Sequence, residues 1–214
     1  MDKKEIDFAI KFCCITGIIM FIVYPLMIST HGYRWWNYVL EIIFGPGFII
    51  SYIGLYLFIK QYGNSFYNFL AIVFHILAGL AVLITNVVQK SVFTIGRGYN
   101  EIENEVSKEI IQKTHKLGNL TQLGFDYTFD VLVSTATIFI AFAMLRQNFY
   151  PKWLVIPGVL IGAGGLIVNT IEFPIPPAAS GLFDPGPFYA IFTAFLFFPM
   201  IYQVYFKKQK NEIL

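Results

Sequence analysis

The chain has 214 residues, of which 57% are hydrophobic and only 13% charged, with a formal net charge of +2; a soluble domain carries about a quarter charged residues. That balance and a mean hydropathy of +0.64 exclude a soluble globular domain, and a net charge so small does not imply a nucleic-acid partner, so none is expected. Apolar runs of about 20 residues recur, each long enough to cross a hydrocarbon core of about 30 Å as a helix. The period-2 alternation of a transmembrane barrel is missing. The expected class is therefore an all-α membrane protein: six transmembrane helices in a bundle, plus a short amphipathic helix in the connection between helices three and four. Spans at about 8–28, 38–59, 66–89, 126–145, 152–172 and 185–206 fill residues 1–214 as one polytopic domain in a lipid bilayer.

The first run, Phe8 to Ile28, is too long for a signal-peptide core and reads as a retained anchor. It contains both cysteines, Cys13 and Cys14, which as sequence neighbours close no structural loop. The loop "STHGYRWWN" (29–37) then places Tyr33, Trp35 and Trp36 where an interfacial aromatic belt belongs. Helix two carries Glu41 and the helix-breaking "GPG" at 45–47, which reads as a kink. A polar turn, "KQYGNS" (60–65), leads into helix three, with His75 in its apolar middle and Thr85, Asn86 and Gln89 toward its far end. A lone histidine there is expected to pack or bond between helices.

From Glu101 to Lys116 the apolar residues Ile102, Val106 and Ile110 recur at four-residue spacing, with acids leading and bases following. That order suits the helix dipole and predicts an amphipathic helix lying on the membrane surface. Helix four opens with Asp126 and Asp130, and the turn "RQNFYPK" (146–152) leads to helix five. This helix has Pro157, close-packing glycines at 158, 162, 164 and 165, and Asn169 and Glu172 at its end. Prolines 174, 176, 177, 185 and 187 make the following loop stiff, and Asp184 before Pro185 reads as an N-cap.

An even number of spans puts both termini on one side, and the positive-inside rule decides which. Lys3, Lys4, Lys11, Lys60, Arg146, Lys152, Lys207, Lys208 and Lys210 fall on the terminal side, against Arg34 alone in the short loops opposite. Lys90, Arg97, Lys108, Lys113 and Lys116 lie in the long third connection with several acids. The expected location is the plasma membrane with N- and C-termini cytoplasmic.

In that orientation Glu41, Asn86, Asp126, Asp130, Asn169, Glu172 and Asp184 all lie in the outer halves of their helices or at their outer ends. Hydrocarbon penalises such groups, so they are expected to line an outward-facing polar cavity that holds a small polar ligand, a cation or a lipid headgroup. Each also has a structural reading. Glu41, Asp126 and Asp184 lie near expected helix N-termini, where a carboxylate is favoured by about 0.3–1 kcal/mol. Asp130, one turn deeper than Asp126, and Glu172, at a helix C-terminus where an anion is disfavoured, fit that reading less well, and either can pair with His31 or Arg34. Three histidines without ligand spacing make a zinc site unexpected; the sequence specifies neither cofactor nor metal.

The stretches "TQLGFDYTFDVLVSTATIFIAFAML" and "NTIEFPIPPAASGLFDPGPF" resemble the C-terminal half of a family of uncharacterised bacterial six-helix integral membrane proteins, a domain of unknown function. The resemblance covers residues 121–190 and implies the six-span topology, pointing to Asp126, Asp130, Pro174, Pro176, Pro177, Asp184, Gly186 and Pro187. Where those relatives have Trp beside the second aspartate this chain has Phe129, and where they have Thr it has Glu172. The resemblance carries no chemistry. Three functions stay open: ligand binding or transport, a structural or accessory subunit, and an intramembrane enzyme using the carboxylates.

Overall fold

A computed structural model describes residues 3–29, 35–63, 65–99, 102, 104–147, 149–175 and 184–207. Helices α1 (Lys3–Ser29), α2 (Trp35–Tyr62), α3 (Phe66–Gly98), α4 (Glu105–Leu145), α5 (Val155–Glu172) and α6 (Gly186–Ile201) follow one another, with no strand among the described residues. A 3-10 turn, Lys152–Leu154, feeds α5, and α6 runs on into a π-helical turn over Tyr202–Lys207. Among the described residues six helices are long and apolar enough to cross a membrane, so the chain is a multi-pass helical membrane protein.

Close contacts fix the arrangement. Gly47 and Gly54 of α2 meet Met20 and Cys13 of α1, so these helices run antiparallel. Asn86 of α3 reaches Glu41 and Asn68 reaches Tyr56, which sets α3 antiparallel to α2. Phe74 faces Phe139, Gly162 meets Ile138, Gly158 meets Phe192 and Gly17 meets Phe197. The six helices thus form an up-and-down ring, with α6 returning to α1. We call the end holding Lys3 and Tyr205 the terminal end, and the opposite one the stalk end.

The stalk departs from the sequence expectation. Residues 105–116 are not a separate surface helix: they are the first turns of α4, which runs unbroken for 41 residues. At 1.5 Å per residue that is about 60 Å, twice a hydrocarbon core of about 30 Å. The physical reason is a partner: α3 also continues to Gly98, and Gly96 lies against His115 while Gly118 lies against Val92. Asn104 caps α4 by accepting from the Ser107 N–H, and Glu105–Lys108 and Glu109–Lys113 pairs bridge successive turns. Ile102 precedes the helix, and Asp126 lies in its interior, far from any N-terminus.

The terminal end is locked by polar contacts between turns. Gln147 Nε2 donates to the Gly63 carbonyl at 2.6 Å, where Gly63 has a φ of 149° that only glycine adopts readily. Lys152 Nζ donates to the carbonyls of Met144, Leu145 and Gln147, neutralising the C-terminal end of the longest helix. Burial pushes the Tyr150 phenol above its ordinary range, keeping it a donor to the Leu196 carbonyl at 2.8 Å. Beneath these contacts Leu55, Phe58, Ile59, Met144, Leu196 and Met200 form the main core. A cleft of about 40 Å³ beside Asp7, Lys11 and Gln203 remains at this end, and the larger cavities lie toward the stalk.

Candidate functional site

A cavity of about 90 Å³ lies among α1, α2, α4 and α6. Aromatic rings dominate its wall: Tyr24, Phe44, Phe48, Tyr52, Phe129 and Phe197. The rings hold one another in place, since Phe48 contacts Phe44, Tyr52 and Phe129 with centroids 6.1, 4.6 and 6.2 Å away. Hydroxyls of Ser51, Thr193 and Tyr189 are also on the wall. Tyr52 Oη is 2.8 Å from Thr193 Oγ1, joining α2 to α6.

Behind Tyr52 stands His75, 1% exposed, with its ring stacked on the phenol at 3.5 Å between centroids. His75 Nδ1–H donates to the Ala71 carbonyl at 2.8 Å, because a carbonyl can only accept. His75 is therefore a packed residue that braces the cavity wall.

At the stalk-side mouth the carboxylates gather. Tyr24 lies within electrostatic reach of Asp184, Asp130 and Asp126 together, and Asp130 feels both other acids. Asn169, fully buried, hydrogen-bonds the Asp130 carboxyl and donates from Nδ2 to the Gly165 carbonyl. Ser134 Oγ joins the Asp130 carbonyl to Tyr189 Oη, each at 2.5 Å, which links the acid cluster to the cavity wall. Gly165 makes this junction possible: a Cβ there would collide with the Tyr189 hydroxyl. Asp184 Oδ1 accepts from the Gly186 N–H at 2.8 Å, an Asx contact at the start of α6. A Cβ on Gly186 would meet Tyr24 Oη at 2.6 Å and Asp184 Oδ1 at 3.0 Å, so Tyr24 and Asp184 face one small space.

Glu41 and Asn86 line a different cleft, between α2 and α3, of about 290 Å³. Glu41 Oε1 pairs with Lys90 Nζ at 2.9 Å, and that ammonium lies 4.9 Å from the Tyr38 ring centroid. Asn86 Nδ2 donates to the Glu41 carbonyl at 2.8 Å. Glu172 closes α5, where its carbonyl accepts from Ile175, and it is not among the charges around Tyr24. The structure thus brings together Asp126, Asp130, Asn169 and Asp184, gathers Glu41 and Asn86 elsewhere, and leaves Glu172 apart. His31 and Arg34 lie outside the described residues, as do Pro176, Pro177 and the rest of loop 176–183.

Sequence reading missed Tyr24, Tyr189, Ser134 and Lys90. Aromatics make up 18% of the chain, so no single tyrosine stands out from the membrane background. The one available signal was Tyr24 beside Pro25 at the same depth as the acids. Among the described residues no group of three or more His, Cys, Asp or Glu side chains is placed to hold a metal ion, so the three aspartates are near one another without forming a chelate. What the arrangement offers is negative potential at the mouth of an aromatic hole.

No curated protein and no solved structure matches the chain. The family model described as a domain of unknown function, DUF4386, matches residues 25–205, from the end of α1 through the π-helical turn after α6, and the chain belongs to that family.

Proposed function

We propose that this protein binds a small polar ligand or a cation in the aromatic cavity beneath Asp126, Asp130 and Asp184, and holds or carries it across the membrane. The observation that carries the reading is the convergence of three carboxyl groups from α4 and the start of α6 on Tyr24, beside a cavity, with no described base paired to any of them. Asp126 and Asp130 are half-buried and Asp184 is exposed just before α6; ionisable groups in or beside membrane-spanning helices mark function by default. A lipid headgroup belongs to the same ligand class. The balance of lysines and arginines supports a plasma-membrane location with cytoplasmic termini, which sets the cavity mouth and the stalk outside.

The test is a thermal-stability screen of the detergent-purified protein against inorganic cations, amines and neutral polar solutes, repeated on Asp130→Asn. At least one solute is expected to raise the Tm of the wild type and not of the variant. A panel in which no shift depends on Asp130 would leave the accessory-subunit reading in its place. One observation favours that second reading: Val106, Ile110, Leu117 and Leu120 stand exposed along the stalk, where a partner helix can cover them. An intramembrane enzyme lacks support, since no nucleophile and base stand together beside the acids among the described residues.

A further inference from the structure

We infer that the cleft between α2 and α3 seats a membrane phospholipid of the ethanolamine type. Its phosphate lies on the Lys90 ammonium, its amine at the Ser91 and Thr94 hydroxyls, and its first chain carbons between Ile42 and Val87. The site is separate from the aromatic cavity and goes beyond the reading above.

Three observations lead to it. The first is where the cleft opens. It measures about 290 Å³, and a cavity of about 150 Å³ is already enough for benzene. Ile42 and Val87 line it and are 55% and 53% exposed, so its rim is on the side of the bundle, the surface that a bilayer covers. Tyr38, on the same wall, belongs to the first turn of α2 beside the exposed Trp35. That is the place of an interfacial aromatic belt, at the depth of the lipid headgroups.

The second observation is the order of the lining groups. Val87, Lys90, Ser91 and Thr94 share one face of α3, which runs outward toward the stalk. Lys90 lies about 4.5 Å beyond Val87, and Thr94 about 6 Å beyond Lys90. Apolar, cationic and hydroxyl groups thus follow one another outward, in the order of the chain, phosphate and amine of the lipid. Lys90 Nζ carries three donors, of which Glu41 Oε1 takes one at 2.9 Å, and its side chain is 22% exposed. A phosphate oxygen is a strong acceptor for another. The hydroxyls suit the amine instead. Ser91 Oγ donates to the Val87 carbonyl at 3.0 Å and Thr94 Oγ1 to the Lys90 carbonyl at 2.9 Å, so each has spent its hydrogen and offers lone pairs to an N–H.

The third is charge. Glu41 and Lys90 are neutral as a pair, and the ammonium is held 4.9 Å from the Tyr38 ring centroid and 6.0 Å from that of Phe93. A zwitterionic headgroup meets such a pair with opposite charges and adds no net charge, whereas an anionic one leaves an excess. Asn86 Nδ2, donating to the Glu41 carbonyl at 2.8 Å, keeps the two helices in this register.

The experiment titrates the delipidated full chain in detergent micelles with dioleoylphosphatidylethanolamine, read by native mass spectrometry and by the rise in Tm. Among the controls, dioleoylphosphatidylcholine lacks the N–H, dioleoylglycerol lacks the phosphate and O-phosphoethanolamine lacks the chains. A fourth, dioleoylphosphatidylglycerol, adds a net charge. The ethanolamine lipid is expected to bind at least about tenfold more tightly than each, a difference worth about 1.4 kcal/mol. Val87→Trp closes the rim from a position that is already exposed, and is expected to weaken binding to the level of dioleoylglycerol. Lys90→Met together with Glu41→Gln removes both charges without stranding a carboxylate, and is expected to do the same. Lys90→Arg keeps the cation and is expected to retain binding. Equal binding of any control overturns the inference, as does ethanolamine-lipid binding that survives both Val87→Trp and the paired variant. Binding of O-phosphoethanolamine that the paired variant abolishes makes this a site for a soluble phosphate ester and overturns it too. Asp130→Asn is expected to change none of these results, whereas the solute response proposed above depends on it, so the two sites fail separately.

Discussion

Glu41 on α2 and Asp130 on α4 are both carboxyl groups inside the stalk-side half of one bundle, and they meet the cost of burial differently. Glu41 has a resident counter-ion in Lys90 at 2.9 Å, and Lys90 itself faces the Tyr38 ring. Asp130 has two further acids, Asp126 and Asp184, and an amide, with no described base in pairing distance. The first group is balanced in charge by Lys90, although Glu41 Oε2 has no hydrogen-bond partner. The second carries an excess of negative charge and opens on a cavity. A closed pair holds α2 against α3; an open cluster is where a cation from outside completes the balance. Depth alone does not mark a site: what matters is whether the protein supplies the counter-charge itself.

The paired site is expected to be indispensable to stability. Lys90→Met strands the Glu41 carboxyl in a position that is 8% exposed, and losing one partner of a buried pair costs about 3–5 kcal/mol. Equilibrium unfolding in mixed micelles is expected to show that loss, and Glu41→Gln added to Lys90→Met is expected to restore most of it. A single variant as stable as the wild type would mean that Glu41 is neutral or solvated and that the two regions do not differ in kind.

A smaller effect is expected at the hinge between cluster and cavity. Tyr189→Phe removes the hydroxyl that meets Ser134 Oγ at 2.5 Å, while Ser134 keeps its bond to the Asp130 carbonyl. The stability cost should be that of one hydrogen bond, about 1 kcal/mol. Ligand response should fall further than stability does, because Tyr189 both lines the cavity and stands within reach of Asp130 and Asp184. Loss of both in the same proportion would make Tyr189 merely a packing residue.

Much of the architecture was legible in the sequence, because the cost of unpaired backbone in hydrocarbon leaves few solutions and apolar run length then counts the helices. The helix ends were less so. Residues 105–116 look amphipathic in isolation, and nothing local says that α3 extends to Gly98 to meet them; pairing of Gly118 with Val92 is a tertiary fact. The acids were legible as a set at one depth, yet their division was not. Depth follows from position along a span, whereas partnership follows from helix rotation: Glu41 points toward Lys90 and Asp130 toward Asn169. Rotation is written weakly here, since the spans are apolar nearly all round. Lys90 itself was counted with the long connection, and only the length of α3 reveals it as an intrahelical residue within reach of α2.

The smallest effects differ between the two regions in sign. Removing a carboxylate from a balanced pair destabilises, whereas removing one from a crowd of like charges relieves repulsion. Asp130→Asn is therefore expected to leave stability unchanged or to raise it by up to about 1 kcal/mol, opposite in direction to Lys90→Met, and to abolish the ligand response. Asp126→Asn is the finer case. Its role as a helix-end charge is gone, because α4 begins at Glu105. What remains is its repulsion with Asp184, which is itself exposed to solvent, where salt screens charges over a length of about 10 Å. Its substitution is expected to stabilise by less than about 0.5 kcal/mol and to weaken cation binding without abolishing it, read as a Tm shift and a binding isotherm on the same sample. If Asp126→Asn erases binding as completely as Asp130→Asn, the bound charge sits between the two carboxyl groups, up to one turn of α4 nearer the stalk than Asp130.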